Sequence, residues 1–338
     1  MAVNASAYSP KQFSFLIAEQ DDFGVFNAES GGASTSWLAV DVDSIGSPSF
    51  NLNQVIEPRN GSRVLQATDF FQDNKVKVME MSVSGTATTE VLDLLLGNIT
   101  QGDTVPYLMT SNAAVQNFTA ATENQTAGQI LSIAYLSPSA DNTLGFKDCF
   151  CTSLTLNGDA GTEGGRVKFS ATFKSGSLPE DLTDAALTID TAITANNYYM
   201  SAWDADDRII ADVANVLVNS FSLTVDNDIV LSGATATGFE AASRVGEVSA
   251  IADFNVKYDD NTDILFESFH DQVTGASEGA TLMATDDTPS NGEFEFKFEN
   301  SVITNVAFSE GDLMGLDISI KAVGAGIGSS TNLFEIAC

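Results

Sequence analysis

Two of the three cysteines stand one residue apart, in the stretch CFCTSLTLNGD from Cys149 to Asp159. Paired thiols could hold a metal or cycle between dithiol and disulfide, and both chemistries need company. A structural zinc takes four soft ligands, yet the chain offers only Cys338 at its far end and one histidine, His270. Residues i and i+2 of a strand lie about 6.5–7 Å apart at Cα, near the upper limit for a disulfide. The spacing therefore points to a strand position rather than a ligand pair. On alternation alone, Phe150, Thr152, Leu154 and Leu156 take one face of that strand and the cysteines take the other.

The other candidates are no better assembled. His270 ends a helical segment, where an imidazole meets the negative end of the helix dipole. No sequence signal supplies the acid and nucleophile a catalytic histidine needs. The pairs Asp21–Asp22, Asp206–Asp207, Asp259–Asp260 and Asp286–Asp287 would suit calcium or a glycosidase. None sits in a D-x-D-x-D-G loop, and 46 Asp+Glu make such pairs expected by chance. The Gly-rich stretches ESGGAS and GAGIGSS lack the strand–Gly–helix setting of a phosphate loop. Catalytic, cofactor-binding and metal sites are all read as none, no cofactor is implied, and the chain reads as a non-enzyme.

Charge excludes a further class. Against those 46 acids stand 14 Lys+Arg, a formal charge of -32 over 338 residues. The acids are spread along the chain, so they coat a folded surface and repel polyanions, because nucleic-acid binding rests on cations that neutralise phosphate. Apolar residues make up 43%, enough for a core, and no run of about 18 of them suggests a membrane span. The N-terminal MAVNASAYSPKQFSFLIAEQ lacks a basic start with an apolar run behind it, so no signal peptide is expected. An odd cysteine count fits a reduced compartment better than a disulfide framework.

The elements that must position these residues are β-strands. Alternating runs recur between polar turns, among them WLAVDV (37–42), KVKVMEMSVSG (75–85), RVKFSATF (166–173), EVSAIADFNVKY (247–258) and GLDISIKAV (315–323). Two segments carry helical spacing and a cap, TTEVLDLLLGNI (88–99) and NTDILFESFHDQ (261–272). Sliding the first onto the second by 173 places Met81, Val83, Thr89, Val91 and Leu92 on Phe254, Val256, Thr262, Ile264 and Leu265. SFNL at 49–52 matches SFSL at 220–223. With an offset of 152, Phe146, Phe150, Thr152, Leu154 and Leu156 fall on Phe298, Val302, Thr304, Val306 and Phe308. A mainly β chain of two tandem units is expected, each with one short helix: residues 1–178 and 179–338. Polar loops cover 53–74 and 226–246, and 100–145 is an insert in the first unit.

The order of strand, long loop, strand, helix and late hairpin, ending in GGRVKFSATFKSG, resembles the tail tube proteins of long-tailed bacteriophages. The resemblance implies a β-sandwich or barrel unit flanked by a helix. It further implies units that close into six-fold rings and rings that stack into a hollow tube for DNA. Two units per chain then imply homotrimeric, pseudo-hexameric rings in the virion, made in the host cytoplasm. Loops 53–74 and 226–246 would contact the next ring, 75–84, 166–173, 247–257 and 315–322 would line the barrel, and the lumen would be acidic and not bind DNA. Partners would be other copies and other tail proteins, with no membrane. Another trimeric tail component (a hub or distal tail protein) and a cell-surface β-sandwich that binds a ligand remain as alternatives.

Overall fold

The computed structural model describes residues 12–20, 22–25, 37–46, 48–50, 54–57, 64–72, 78–102, 107–110, 116–119, 130–138, 143–162, 165–182, 187, 189–190, 198, 200, 208–211, 213–235, 238–266, 280–284, 294–298, 300–311, 313–324 and 332–337. The chain is mainly β, in large antiparallel sheets. Its first strands are β1 (Ser14–Glu19), β2 (Trp37–Val40), β3 (Val42–Ile45), β4 (Ser49–Phe50), β5 (Gln54–Ile56), β6 (Phe70–Gln72) and β7 (Met79–Thr86). Helix α1 (Thr89–Thr100) precedes β8 (Tyr107–Thr110), β9 (Gln116–Thr119), β10 (Leu131–Leu136), β11 (Thr143–Asp159), β12 (Lys168–Ser175) and β13 (Glu180–Leu182). Then come β14 (Ile189–Asp190), β15 (Arg208–Ile209), β16 (Val218–Asp226), β17 (Val230–Ala234), β18 (Phe239–Arg244) and β19 (Ser249–Lys257). The last are β20 (Ala280–Ala284), β21 (Phe294–Phe298), β22 (Ser301–Ser309), β23 (Gly315–Ala322) and β24 (Asn332–Ala337).

One long sheet dominates. β3 and β4 pair with β7, β7 with β12, and β12 with β11. The same order follows in β16–β19–β23–β22. β11 joins the two sets by pairing with β16, from Ser153 opposite Asp226 to Asp159 opposite Ser220. Alternation aims Met79, Met81 and Val83 of β7 inward and Glu80 and Ser82 outward, and β12, β19 and β23 follow the same two-residue period.

A second layer covers the apolar face. β1 pairs with β2 and β10, and β10 with the first part of β11, which also takes β13. Further along, β15–β20–β21–β24–β8 forms the other covering sheet. Phe15 of β1 meets Phe173 of β12 at 6.4 Å, and Phe296 of β21 stacks on Phe254 of β19 at 6.1 Å, so side chains from both layers meet in the core. β11 serves both layers and changes direction at Asp148, whose φ of 52° is left-handed. Asp tolerates that region better than most residues.

Helix α1 forms where its cap predicts. Thr88 is the N-cap and accepts from the Val91 amide at 3.4 Å, Glu90 sits in the first turn, and Leu92, Leu95, Leu96 and Ile99 are buried. The second expected helix is described only at its start: residues 263–266 are helical, capped by Asp259, whose Oδ1 accepts from the Asn261 and Thr262 amides at 3.1 and 3.3 Å. The rest of it, His270 included, lies outside the described residues.

Three sequence expectations change. The segments 53–74 and 226–246 hold β-hairpins, β5–β6 and β17–β18, rather than plain loops. Their polar composition hid short strands of two to three alternations. The insert 100–145 contributes β8 to the sheet of β24, β9 to that of β18, and β10 to the cover over β11. Together with β11–β16 and β2–β14, the first two of these pairings cross the expected boundary at 178. Finally, the strand ladder aligns Val83, not Met81, with Phe254: β12 places Ala171 on Val83, and β23 places Ile318 on Phe254. A two-residue slip keeps the same face inward, so hydrophobic pattern could not detect it.

Candidate assembly surface

The cysteine strand is built differently from its alternation. The β11–β12 register shifts by one residue between Cys151 and Ser153, a bulge at Thr152. An extra residue swaps the faces beyond it, so Cys149 and Cys151 share the main core with Leu154 and Leu156, while Phe150 points to a separate cluster with Phe23, Phe118 and Ile130. That corrects the expected assignment of faces. Burial pushes the Cys149 thiol well above its ordinary value and the Cys151 thiol to about 12, so both are neutral, fully buried groups. Both are free thiols, and no cluster that could hold a metal ion occurs among the described residues.

β22 carries the same bulge. The β22–β23 register shifts between Ile303 and Asn305, 152 residues beyond the shift in β11. The Thr152 hydroxyl donates to the Thr172 carbonyl at 3.2 Å, and the Thr304 hydroxyl donates to the Ser319 carbonyl at 3.1 Å. In each case the acceptor lies opposite the residue after the bulge, Ser153 or Asn305.

Of the acid pairs, Asp259 is spent on a cap and Asp260 is exposed; Asp21, Asp206, Asp207, Asp286 and Asp287 lie outside the described residues, as does Cys338. Asp22 lends its carbonyl to Gln20. A buried carboxylate that sequence did not single out is Asp148. It accepts from Gln20 Nε2 at 2.6 Å, the Gly24 amide at 2.7 Å and Ser177 Oγ at 2.9 Å.

The outward face of the long sheet is polar. Across β7, β12, β11, β16, β19 and β23 it presents mostly Ser, Thr and Asn, with Thr155 and Thr224 hydroxyls 3.0 Å apart at the junction. Its acids are Glu80, Asp159, Asp226, Asp253 and Asp317; its bases are Lys168, Lys174, Lys257 and Lys321. Four further carboxylates reach these lysines, so the face with its rim is acidic. Each lysine is also held by a carboxylate: Asp43 at 3.0 Å, Asp228 at 2.6 Å, Asp259 at 3.6 Å and Glu247 at 3.5 Å respectively. A hollow of about 510 Å³ opens on this face between Asn157, Lys168, Asp253 and Asp317.

The junction between the two strand sets is pinned by Arg244 on β18. Its guanidinium donates to the carbonyls of Asn98 (3.1 Å), Cys151 (2.9 Å) and Asn227, at the C-terminal end of α1. Asn98 Oδ1 in turn accepts from the Cys151 amide at 2.6 Å, and Asn227 donates to the Ile99 carbonyl at 2.7 Å. The negative end of a helix dipole suits a cation there. Burial lowers the Arg244 pKa to about 10, which leaves it charged at neutral pH. Sequence gave one signal for this residue, a lone basic side chain closing an alternating run, and that signal does not name its partners.

Neither a scan against protein-family models nor a search of curated proteins finds a match for the chain.

Proposed function

We propose that the chain is a self-assembling structural subunit, a tail tube protein of a long-tailed bacteriophage that stacks in rings around a DNA channel. One observation carries the reading: a single sheet in which the order β4–β7–β12–β11 is followed by β16–β19–β23–β22, with the same bulge in both sets and, among the described residues, an open edge at each end. Such a sheet is a segment of a larger closed surface, and closure removes edges that are otherwise a hazard. Three copies would supply six sets of strands and close one ring.

The polar face of the sheet is suited to line a conduit. Hydroxyls and amides hydrate it, and lysines already engaged by carboxylates offer phosphate no free cation. The carboxylates that hold these lysines add to the acids of the face, which suits the expected acid-lined lumen.

Negative-stain microscopy of the purified protein tests the proposal. Hollow tubes with a regular axial repeat are expected. Monodisperse monomers at high concentration in moderate salt would sink it.

A further inference from the structure

Within one chain, elements of the second strand set already rest on the first. β16 adds to the edge of β11. The backbone at Tyr198 and Met200 bonds Val167 and Gly165 at the β11–β12 turn, at 2.9 and 2.8 Å. Hairpin β17–β18, with Ile229 and Ala242, covers Phe118 and Phe150 and pairs through β18 with β9. Beneath this cover Leu156 and Val167 are buried.

The matching positions of the second set are bare. Offsets of 152 and 147 carry Leu156 and Val167 to Phe308 and Met314. These are 46% and 53% exposed, and Leu313 and Ile264 are exposed too, at 75% and 52%. Phe266 stacks on Phe308 at 5.5 Å and Tyr258 meets it edge-on at 5.4 Å, so the patch is contiguous. The outer edge of β22 has no partner strand among the described residues. An exposed apolar patch of this kind beside an open edge marks an interaction surface.

The chain also holds elements that could cover it. β4 occupies in the first set the place of β16, and hairpin β5–β6 occupies the place of β17–β18. β5 and β6 pair only with each other among the described residues, and Ile56 and Leu65 are 47% and 51% exposed. A two-stranded hairpin is marginal in water by itself.

We infer that the patch of Ile264, Phe266, Phe308, Leu313 and Met314 is the docking site for a second copy of this chain, which seats its β4 against β22 and lays its β5–β6 hairpin alongside. The contact is head-to-tail, one chain giving its N-terminal elements and the next giving its β22 edge. Hairpin 53–74 then clasps a lateral neighbour instead of reaching an axial one. The inference rests on the assembly reading for its partner, another copy, and on the internal β11–β16 junction for its geometry. Chains of charge -32 repel, so an apolar contact between them strengthens as salt screens that repulsion.

Two variants and their mixture test it by sedimentation velocity of the full chain in moderate salt. Leu313→Glu/Met314→Glu disables the acceptor, and Ile56→Glu/Leu65→Glu disables the donor; all four side chains face water, so thermal melting of each monomer should stay near wild type. Each variant alone is expected to lose at least tenfold in association. Mixed, they should form a dimer and stop there, because each retains one working surface. If the acceptor variant assembles like wild type, or the mixture fails to pair, the docking site is wrong while tubes of wild type would keep the assembly reading. A wild type that neither associates nor forms tubes would remove that reading, and the docking site with it.

Discussion

The guanidinium of Arg244 lies 5.7 Å from the ring centroid of Phe150, above a strand that belongs to the other half of the chain. Phe150 rests in turn on Phe118 at 5.0 Å, so a cation, two rings and the last turn of α1 form one buried joint. Among the described residues no carboxylate forms a salt bridge with the arginine; three carbonyls and a helix end balance its charge.

Removing that arginine should therefore be costly. Arg244→Ala leaves the Asn98, Cys151 and Asn227 carbonyls without their donor in a dry site, a loss of about 3 kcal/mol. Arg244→Lys keeps the charge but replaces a fork by a single point, and recovers less than half of it. Urea denaturation of the three proteins measures this. A loss under about 1 kcal/mol for the alanine variant would show that the joint is incidental.

Asp148 makes a second prediction, with a sign. Desolvation raises its carboxyl above the usual range, against the pull of Gly24, Gln20, Ser177 and Lys147. A carboxyl raised on folding keeps a proton that the unfolded chain has lost, so its contribution is greatest below the unfolded pKa and fades as pH rises through the folded one. Asp148→Asn cannot titrate. The melting-temperature advantage of wild type over this variant should widen as pH falls from about 7 to about 4. A gap that stays constant or narrows on acidification would contradict the raised value.

The thiols offer a third. With Cys149 and Cys151 neutral and buried, an alkylating reagent at mildly alkaline pH should leave both unmodified in the native protein and label both in guanidinium, read by peptide mass spectrometry. Added zinc should not raise the melting temperature. Rapid labelling of the native chain, or a zinc-dependent stabilisation, would restore a chemical role to the pair.

How much of this was legible beforehand varies by residue. The strand content, α1 and its Thr88 cap follow from period and capping chemistry, which act locally and are written in adjacent residues. β1 carries no period-two signal although FSFLIA is an apolar run, because a strand buried on both sides shows no alternation. The faces of Cys149 and Phe150 were misassigned because a bulge is one residue of backbone geometry with no composition of its own. Arg244 and Asp148 could not be located at all: their partners are 146 and 128 residues away in Asn98 and Gln20. The docking patch was likewise invisible, since Phe308 and Leu156 carry similar hydrophobicity and differ only in what lies over them.

Thr152 and Thr304 provide the last test, and it separates cover from its absence. Both hydroxyls donate to a carbonyl across a bulge, but Thr152 is buried under β16 and its neighbours while Thr304 on the open β22 edge faces water. Valine keeps the shape and removes the donor. At Thr152 the stranded carbonyl has no water to turn to, so Thr152→Val should cost about 1 kcal/mol. At Thr304 water replaces the hydroxyl, and the cost in the isolated chain should stay within about 0.5 kcal/mol. Once a second copy covers β22 that water is expelled, so the missing donor costs about 1 kcal/mol there too, and Thr304→Val should weaken association by roughly fivefold. Equal affinity of wild type and Thr304→Val, measured by sedimentation, would mean that the edge stays wet in the assembly and that the second copy docks elsewhere.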